Sequence, residues 1–166
     1  MKVWYGEMKT TSPVRQVVVF RLEGQRYALQ LSQVERVVSM VAVSPLPHTP
    51  AVVVGVINYR GSVVPVLDLR PRFGFPRREF GLTDHLLLGR TSRRLLALPV
   101  DEVLGVNEVP VEDAIAPSTL LPGAGYVTGI VALPDGLLFI HDLEALLSVD
   151  EERRLTEAMD DSEVDQ

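Results

Sequence analysis

The chain reads as all-β with short helices, built from two halves of about five short strands each. Three observations predict this. Its apolar residues fall in short runs bounded by turn residues, such as Val52 to Ile57 and Val63 to Leu67. A pattern of two hairpins occurs twice. Sustained helical patterning is confined to the carboxy-terminal end, after Asp142. Closing each set of strands into a small barrel would remove exposed sheet edges.

The elements follow in order. Val17-Val-Val-Phe20 and Tyr27-Ala-Leu-Gln-Leu31 read as strands around a turn at Glu23-Gly24-Gln25. Ser32-Gln-Val-Glu35 has the spacing of a helix capping box. It predicts a helical turn, then a strand through Val37 to Val43. Pro45, Pro47 and Pro50 make an extended loop. A hairpin follows over 52–67, with the polar knot Asn58-Tyr59-Arg60-Gly61-Ser62 at its turn. Asp68 can cap a short helix over Leu69–Phe73, where Pro71 falls in the first turn. Gly74 to Gly81 is a loop.

From Leu86 the pattern recurs. Leu86-Leu-Leu-Gly89 and Leu95 to Val103 echo Val17 to Phe20 and Arg26 to Val34 at an offset of 69, and Gly129 to Leu143 echoes Gly55 to Leu69 at an offset of 74. Any two amphipathic hairpins look alike, but two matched pairs in the same order favour duplication. The copies differ at the turn. Asn58-Tyr59-Arg60-Gly61 aligns with Ala132-Leu133-Pro134-Asp135, so the polar, cationic turn occurs in the first copy alone. That asymmetry points to the first hairpin as the site. At the end, Asp142 to Leu147 is a short amphipathic turn. Ser148-Val-Asp-Glu151 is a second capping box, leading a helix over Glu151–Met159, with fraying expected beyond Asp160.

Composition limits the function. The chain has 166 residues, 46% of them hydrophobic, and no Cys. Disulfides, thiolate metal sites and a Cys nucleophile are therefore excluded. No apolar run approaches the roughly 20 residues of a membrane span, and the amino terminus shows no secretory signal. Net charge is −6, and residues from Asp150 onward carry all of it, with eight acids against two bases. The 22 acids and 16 bases thus leave fourteen of each sign in the body. A neutral body with an acidic tail is a poor nucleic-acid binder.

Motifs for catalysis are missing. His48, His85 and His141 have no metal-site spacing; His48 sits in a Pro-rich loop and His141 alternates out of a strand. There is no nucleophile elbow and no phosphate-binding loop, and Gly123-Ala-Gly125 precedes a strand. Asp101-Glu102 and Glu112-Asp113 are adjacent acids, a poor arrangement for paired acid–base work. No cofactor or metal is expected. Arg60 has two readings: a carboxylate partner that fixes one end of the fold, or an interface anchor. Arg70, Arg72, Arg77 and Arg78 read by default as a solvated loop. Val34, Val37, Val38 and Met40 read by default as core, with a groove between halves as the alternative.

The residues resemble one family. Phe20 to Leu29, Val34-Glu-Arg-Val37, Gly55-Val-Ile-Asn-Tyr-Arg-Gly-Ser-Val-Val-Pro-Val-Leu-Asp-Leu69, Val100-Asp-Glu-Val-Leu-Gly105, Tyr126-Val-Thr-Gly129 and Asp142 to Ser148 are similar, in order, to a CheW domain. The likeness covers about residues 15–148. It leaves a leader, 1–14, and a short helix with an acidic, disordered tail over 149–166.

The resemblance implies a single domain of two five-stranded Src-homology-type barrels in pseudo-two-fold arrangement, divided at about 15–81, with packing from the carboxy-terminal segment, and 82–148. It implies a non-enzymatic, cytoplasmic adaptor that links chemoreceptors (methyl-accepting proteins) to a CheA-type histidine kinase in receptor arrays, without inserting into the membrane. One end of the first barrel would meet the kinase regulatory domain, and an apolar groove between barrels the receptor's cytoplasmic tip. Gly55, Asn58, Tyr59, Arg60 and Gly61 would form the partner-binding hairpin. Val34, Arg36 and Val37 would neighbour it, and Val100 and Val103 would contribute from the second half. Arg36 stands where the family often carries an acid, which motivates an alternative: a CheW-like regulator of another kinase pathway, in motility or gene expression. A small-molecule sensor or enzyme would instead need a deep polar pocket.

Overall fold

In the computed structural model, residues 14–110 and 127–164 are described. The expectations for Glu112-Asp113, Gly123-Ala-Gly125, Tyr126 and most of the leader lie outside them. The elements are ten strands: β1 (Val14–Leu22), β2 (Gln25–Gln30), β3 (Val34–Ser39), β4 (Val53–Tyr59), β5 (Ser62–Leu67), β6 (His85–Arg90), β7 (Leu95–Val100), β8 (Glu102–Pro110), β9 (Val127–Leu133) and β10 (Gly136–His141). A helix, α1 (Val149–Val164), closes the described chain. One-turn 3-10 helices lie at Leu31–Gln33, Pro71–Phe73 and Leu143–Ala145.

The strands form two five-stranded sheets, ordered β8-β1-β2-β10-β9 and β3-β6-β7-β5-β4. Replacing each strand by its counterpart in the repeat turns the first order into the second. The agreement reaches single residues. In β4–β5 the register slips between Val53↔Leu67 and Gly55↔Val66, and in β9–β10 between Val127↔His141 and Gly129↔Ile140, the same positions moved by the offset of 74. The parallel pairs Val66↔Ala97 and Ile140↔Ala28 also correspond. After each second hairpin the Asp side chain accepts from the backbone two residues on, Asp68 Oδ1 from Arg70 N at 3.1 Å and Asp142 Oδ1 from Glu144 N at 3.0 Å. Asp142 caps its turn, whereas the expected cap at Asp68 is not made, since the turn begins at Pro71 with Arg70 as its N-cap.

The sheets do not follow the expected division at residue 81. β1 and β2 join β8–β10, whereas β3–β5 join β6 and β7. The compact units are 1–34 with 102–146, and 35–101 with 147–166. The reason is that each β-hairpin finds its sheet neighbour in the other copy, through the parallel pairs β2–β10 and β5–β7. The stretch from Leu95 to Val103 accordingly breaks at Asp101, where the chain leaves the second sheet and enters the first.

Each unit has its own apolar core. In the first, Val17, Val19, Ala28, Val109, Val131, Leu138 and Ile140 pack together. In the second, Ile57, Val64, Val66, Leu86, Leu88 and Ala97 do so. The central strands are buried on both faces, as in Val17 to Phe20, Leu86 to Leu88 and Leu96 to Val100. His141 therefore corrects the expectation of an outward residue. Its face carries Phe20, Tyr27 and Phe139, with the His141 ring 5.3 Å from that of Tyr27, and it is buried.

Two further expectations change. The helical turn expected at Ser32 is present as the 3-10 turn Leu31–Gln33, but Ser32 does not cap it: Gln30 is its N-cap, without a side-chain bond. Gln33 bonds Asp142 Oδ1 at 3.0 Å and Leu143 N at 3.2 Å, and β-branched Val34 already begins a strand that ends at Ser39. The carboxy-terminal helix, in contrast, starts where predicted: Ser148 Oγ accepts from Glu151 N at 3.1 Å, and Ser148 N donates to Glu151 Oε1 at 2.9 Å. It continues through Val164 instead of fraying at Asp160. Leu155 and Ala158 are buried, and Arg94 on the β6–β7 turn holds Glu152 at 2.8 Å and Thr156 at 2.6 Å.

Candidate docking end of the second sheet

The β4–β5 hairpin turns on two residues, Arg60 and Gly61, at φ of 53° and 85°. Both lie in the left-handed region, as a two-residue turn matched to sheet twist requires. Asn58 Oδ1 accepts from Gly61 N at 2.9 Å and locks the turn. Asn58 therefore supports the turn from an exposed position. Arg is an unfavourable choice where Asn or Gly is preferred, so local stability does not account for it. Its guanidinium lies over the Tyr59 ring, 5.3 Å from the centroid, and the side chain is exposed.

This turn borders a shallow depression lined by Glu35, Arg36, Tyr59, Arg60, Ser62, Arg90 and Leu95. Every strand of the second sheet contributes: the start of β3, the ends of β4 and β6, and the starts of β5 and β7. The depression is thus one end of the sheet. Glu35 Oε1 accepts from Arg90 Nε at 3.0 Å. Arg36 is exposed, and Val37 beside it is 38% exposed.

The structure brings together three of the expected site residues here, Arg36, Tyr59 and Arg60, with Gly61 on the turn. Val34 and Val103 are half-buried on β3 and β8. Two expected residues belong to the interior. Val100 is 0% exposed, so it offers a partner no side-chain surface. Gly55 is buried where a Cβ would stand 2.4 Å from Ser44 O and 2.7 Å from Val43 Cγ1. Its lack of a side chain lets Ser44 and Val56 exchange two backbone hydrogen bonds at 2.8 Å.

Glu35, Ser62, Arg90 and Leu95 were not expected. The repeat holds a signal for Arg90: the offset of 69 maps it onto Arg21, which pairs with Glu102 on the neighbouring strand β8 as Arg90 pairs with Glu35 on β3.

The other arginines of the unit are not a solvated loop. Arg70 is fully buried, with Nη2 2.6 Å from Asp101 Oδ1 and its guanidinium 5.9 Å from the Phe80 centroid. Arg78 donates to Asp84 at 3.0 and 3.2 Å and to Asp101 at 2.6 Å. Arg72 pairs with Glu151 at 2.7 Å, and Arg77 donates to Ala51 O. These pairs explain the perturbed acids. Burial, the largest single influence, opposes the charge on Asp84 and Glu151, yet the hydrogen bonds from Arg78 and Arg72, the backbone N–H bonds from Gly81 and Ser148 and the arginine charges together hold both carboxyls below their ordinary values. Asp135 is lowered by its bond from Arg26. A second concavity, in the first unit, is mainly apolar, with Val19, Leu104, Val109, Val131 and Leu138 in its wall and the Arg26–Asp135 pair at its edge.

Comparison with known proteins points one way. The model of the CheW-like domain matches residues 16–151. A probable chemotaxis protein CheW of Rhizobium etli is 27% identical over 81% of this chain and 88% of its own length. The chemotaxis protein CheW of Bacillus subtilis is 32% identical over 66% of this chain and 70% of its own length. Among solved structures, the scaffolding protein TtCheW from Thermoanaerobacter tengcongensis superposes with a TM-score of 0.74 at 28% identity, covering 84% of this chain and 96% of that one.

Proposed function

The chain belongs to the CheW-like domain family of chemotaxis coupling adaptors, and from that membership we propose how it couples. It binds the regulatory domain of a CheA-type histidine kinase and the cytoplasmic tip of a chemoreceptor, and it works by binding alone. The observation that carries this is the end of the second sheet. Five strands converge there on an exposed Arg60, ordered over Tyr59 and held on a locked turn, with Arg36 beside it. An Arg–aromatic pair on a rigid scaffold suits an interface anchor.

The pairing of the acids supports binding over catalysis. Glu35 is engaged by Arg90, and each acid whose ionisation is perturbed has an arginine partner. Among the described residues no helix is long and apolar enough to cross a membrane. The proposed location is cytoplasmic, with recruitment to receptor arrays through the partners.

The test is titration of the folded protein with the co-encoded kinase regulatory domain, and separately with a receptor cytoplasmic tip. Saturable binding of both is expected. Binding of neither by folded protein would refute the proposal.

A further inference from the structure

We propose that the docking end of the second sheet selects a protein partner that presents acidic side chains around an apolar centre, with Arg36 and Arg60 as the residues that read those acids. This rests on the adaptor reading above and specifies the partner's chemistry at that site.

The argument begins with charge. Of the seven residues lining the depression, three are arginines (Arg36, Arg60, Arg90) and one is an acid (Glu35). Glu35 is taken by Arg90, so that pair is neutral. Arg36 and Arg60 have no carboxylate partner among the described residues, and both are exposed. Arg93, on the adjoining β6–β7 turn, is exposed and adds a third positive charge at this end. Most other arginines among the described residues are paired with a carboxylate, Arg15, Arg77 and Arg154 excepted. Arg21, Arg26, Arg70, Arg72, Arg78, Arg94 and Arg153 each hold a carboxylate, and the protein as a whole carries −6. Uncompensated guanidinium groups gathered on one end of an acidic protein form a local field that attracts acids and repels bases.

Geometry adds direction. Arg60 is not a tethered charge on a loose loop. Its turn is locked by the Asn58–Gly61 bond, and its guanidinium is stacked on Tyr59. The guanidinium fork matches a carboxylate through two parallel hydrogen bonds. Tyr59 and Leu95, both half-buried, supply apolar surface between the charges. Such a surface fits carboxylates flanking an apolar side chain. A basic partner segment would place like charges against Arg36 and Arg60.

The experiment titrates the full chain, wild type and variant, with the co-encoded kinase regulatory domain at low and high salt. Wild-type affinity should fall as salt rises. Arg36→Glu should weaken binding about tenfold or more at low salt and flatten the salt dependence, because the attractive pair becomes repulsive. Arg36→Gln, which removes charge without reversing it, should lie between. Arg154→Glu, on the exposed face of α1, should change neither. An acid-to-lysine change on the kinase domain that restores binding to Arg36→Glu would identify the acid being read.

Three results would overturn the inference. If wild type binds but Arg36→Glu and Arg60→Glu leave affinity and salt dependence unchanged, the site does not read acids, while the adaptor function stands. If the chain alone self-associates and Arg36→Glu abolishes this, the cationic end takes the acidic helix of a second copy. If wild type does not bind the kinase domain at any salt, this inference fails, and if it does not bind the receptor tip either, the adaptor reading fails with it.

Discussion

Arg70 Nη2 donates to Asp101 Oδ1 at 2.6 Å from a fully buried position. The same oxygen accepts from Arg78 Nη2 at 2.6 Å, and Asp68 lies 3.6 Å from Arg70 Nη1. A buried cation between two carboxylates is costly to disrupt, because removing it leaves buried Asp68 without its cation, although Asp101 keeps Arg78. Arg70→Met is therefore expected to lower stability by about 3–5 kcal/mol. Urea denaturation checks this; an unchanged midpoint would show that the pairs are not needed to hold the unit.

Asp84 links that network to pH. It accepts from Arg78 and from Gly81 N at 2.7 Å, and its carboxyl sits below the ordinary value of 3.8. A carboxyl depressed in the folded state contributes stability that is complete above its unfolded value and is lost as pH falls through its folded value. Thermal melts should therefore hold steady from neutrality to about pH 5 and drop below about pH 4. Asp84→Asn should be less stable at neutral pH and should flatten that acid limb. An unaltered limb would remove Asp84 from the account.

At Gly55 the constraint is steric. A methyl group would stand 2.4 Å from a backbone oxygen of the Ser44–Val56 bridge. Gly55→Ala should cost about 2–3 kcal/mol, since backbone cannot move aside as a flexible side chain can. Gly61→Ala should cost about 1 kcal/mol, because its Cβ meets nothing within 4 Å and the cost is left-handed backbone alone. Equal melting temperatures for the two would contradict this.

Arg60 should separate stability from binding. Asn adopts the left-handed region more readily than Arg, so Arg60→Asn is expected to raise stability by about 0.5–1 kcal/mol. It should weaken kinase-domain binding by about 2 kcal/mol, a typical interface-anchor loss. Melting and titration on the same preparation decide it. Loss of both would make Arg60 a structural residue.

Features governed by near neighbours along the chain were legible before the fold. Asn58, Arg60 and Gly61 mark a hairpin turn because turn geometry depends on a few adjacent dihedrals. Ser148 marks a cap for the same reason. Interactions spanning many residues were not legible. Arg70 reads as a loop arginine until Asp101, far along the chain, is placed against it. Alternation put His141 opposite Ile140 correctly, but could not say that the aromatic side chains of Phe20, Tyr27 and Phe139 cover that face. Gly55 looked like part of a docking hairpin because the chain that crowds it, Val43–Ser44, is not its sequence neighbour.

The sequence by itself determined most of the strands, the turns and their duplication. Only the tertiary structure decided which strands share a sheet. β2 pairs with β10 and β5 with β7, so each sheet draws on both copies. The physical reason is that side-chain period sets the face a residue occupies, whereas strand pairing runs through backbone groups that every residue carries alike. The docking end follows from that choice. Arg36 and Arg60 lie on separate segments, and they come to one surface, beside the Glu35–Arg90 pair, when five strands of the second sheet end together.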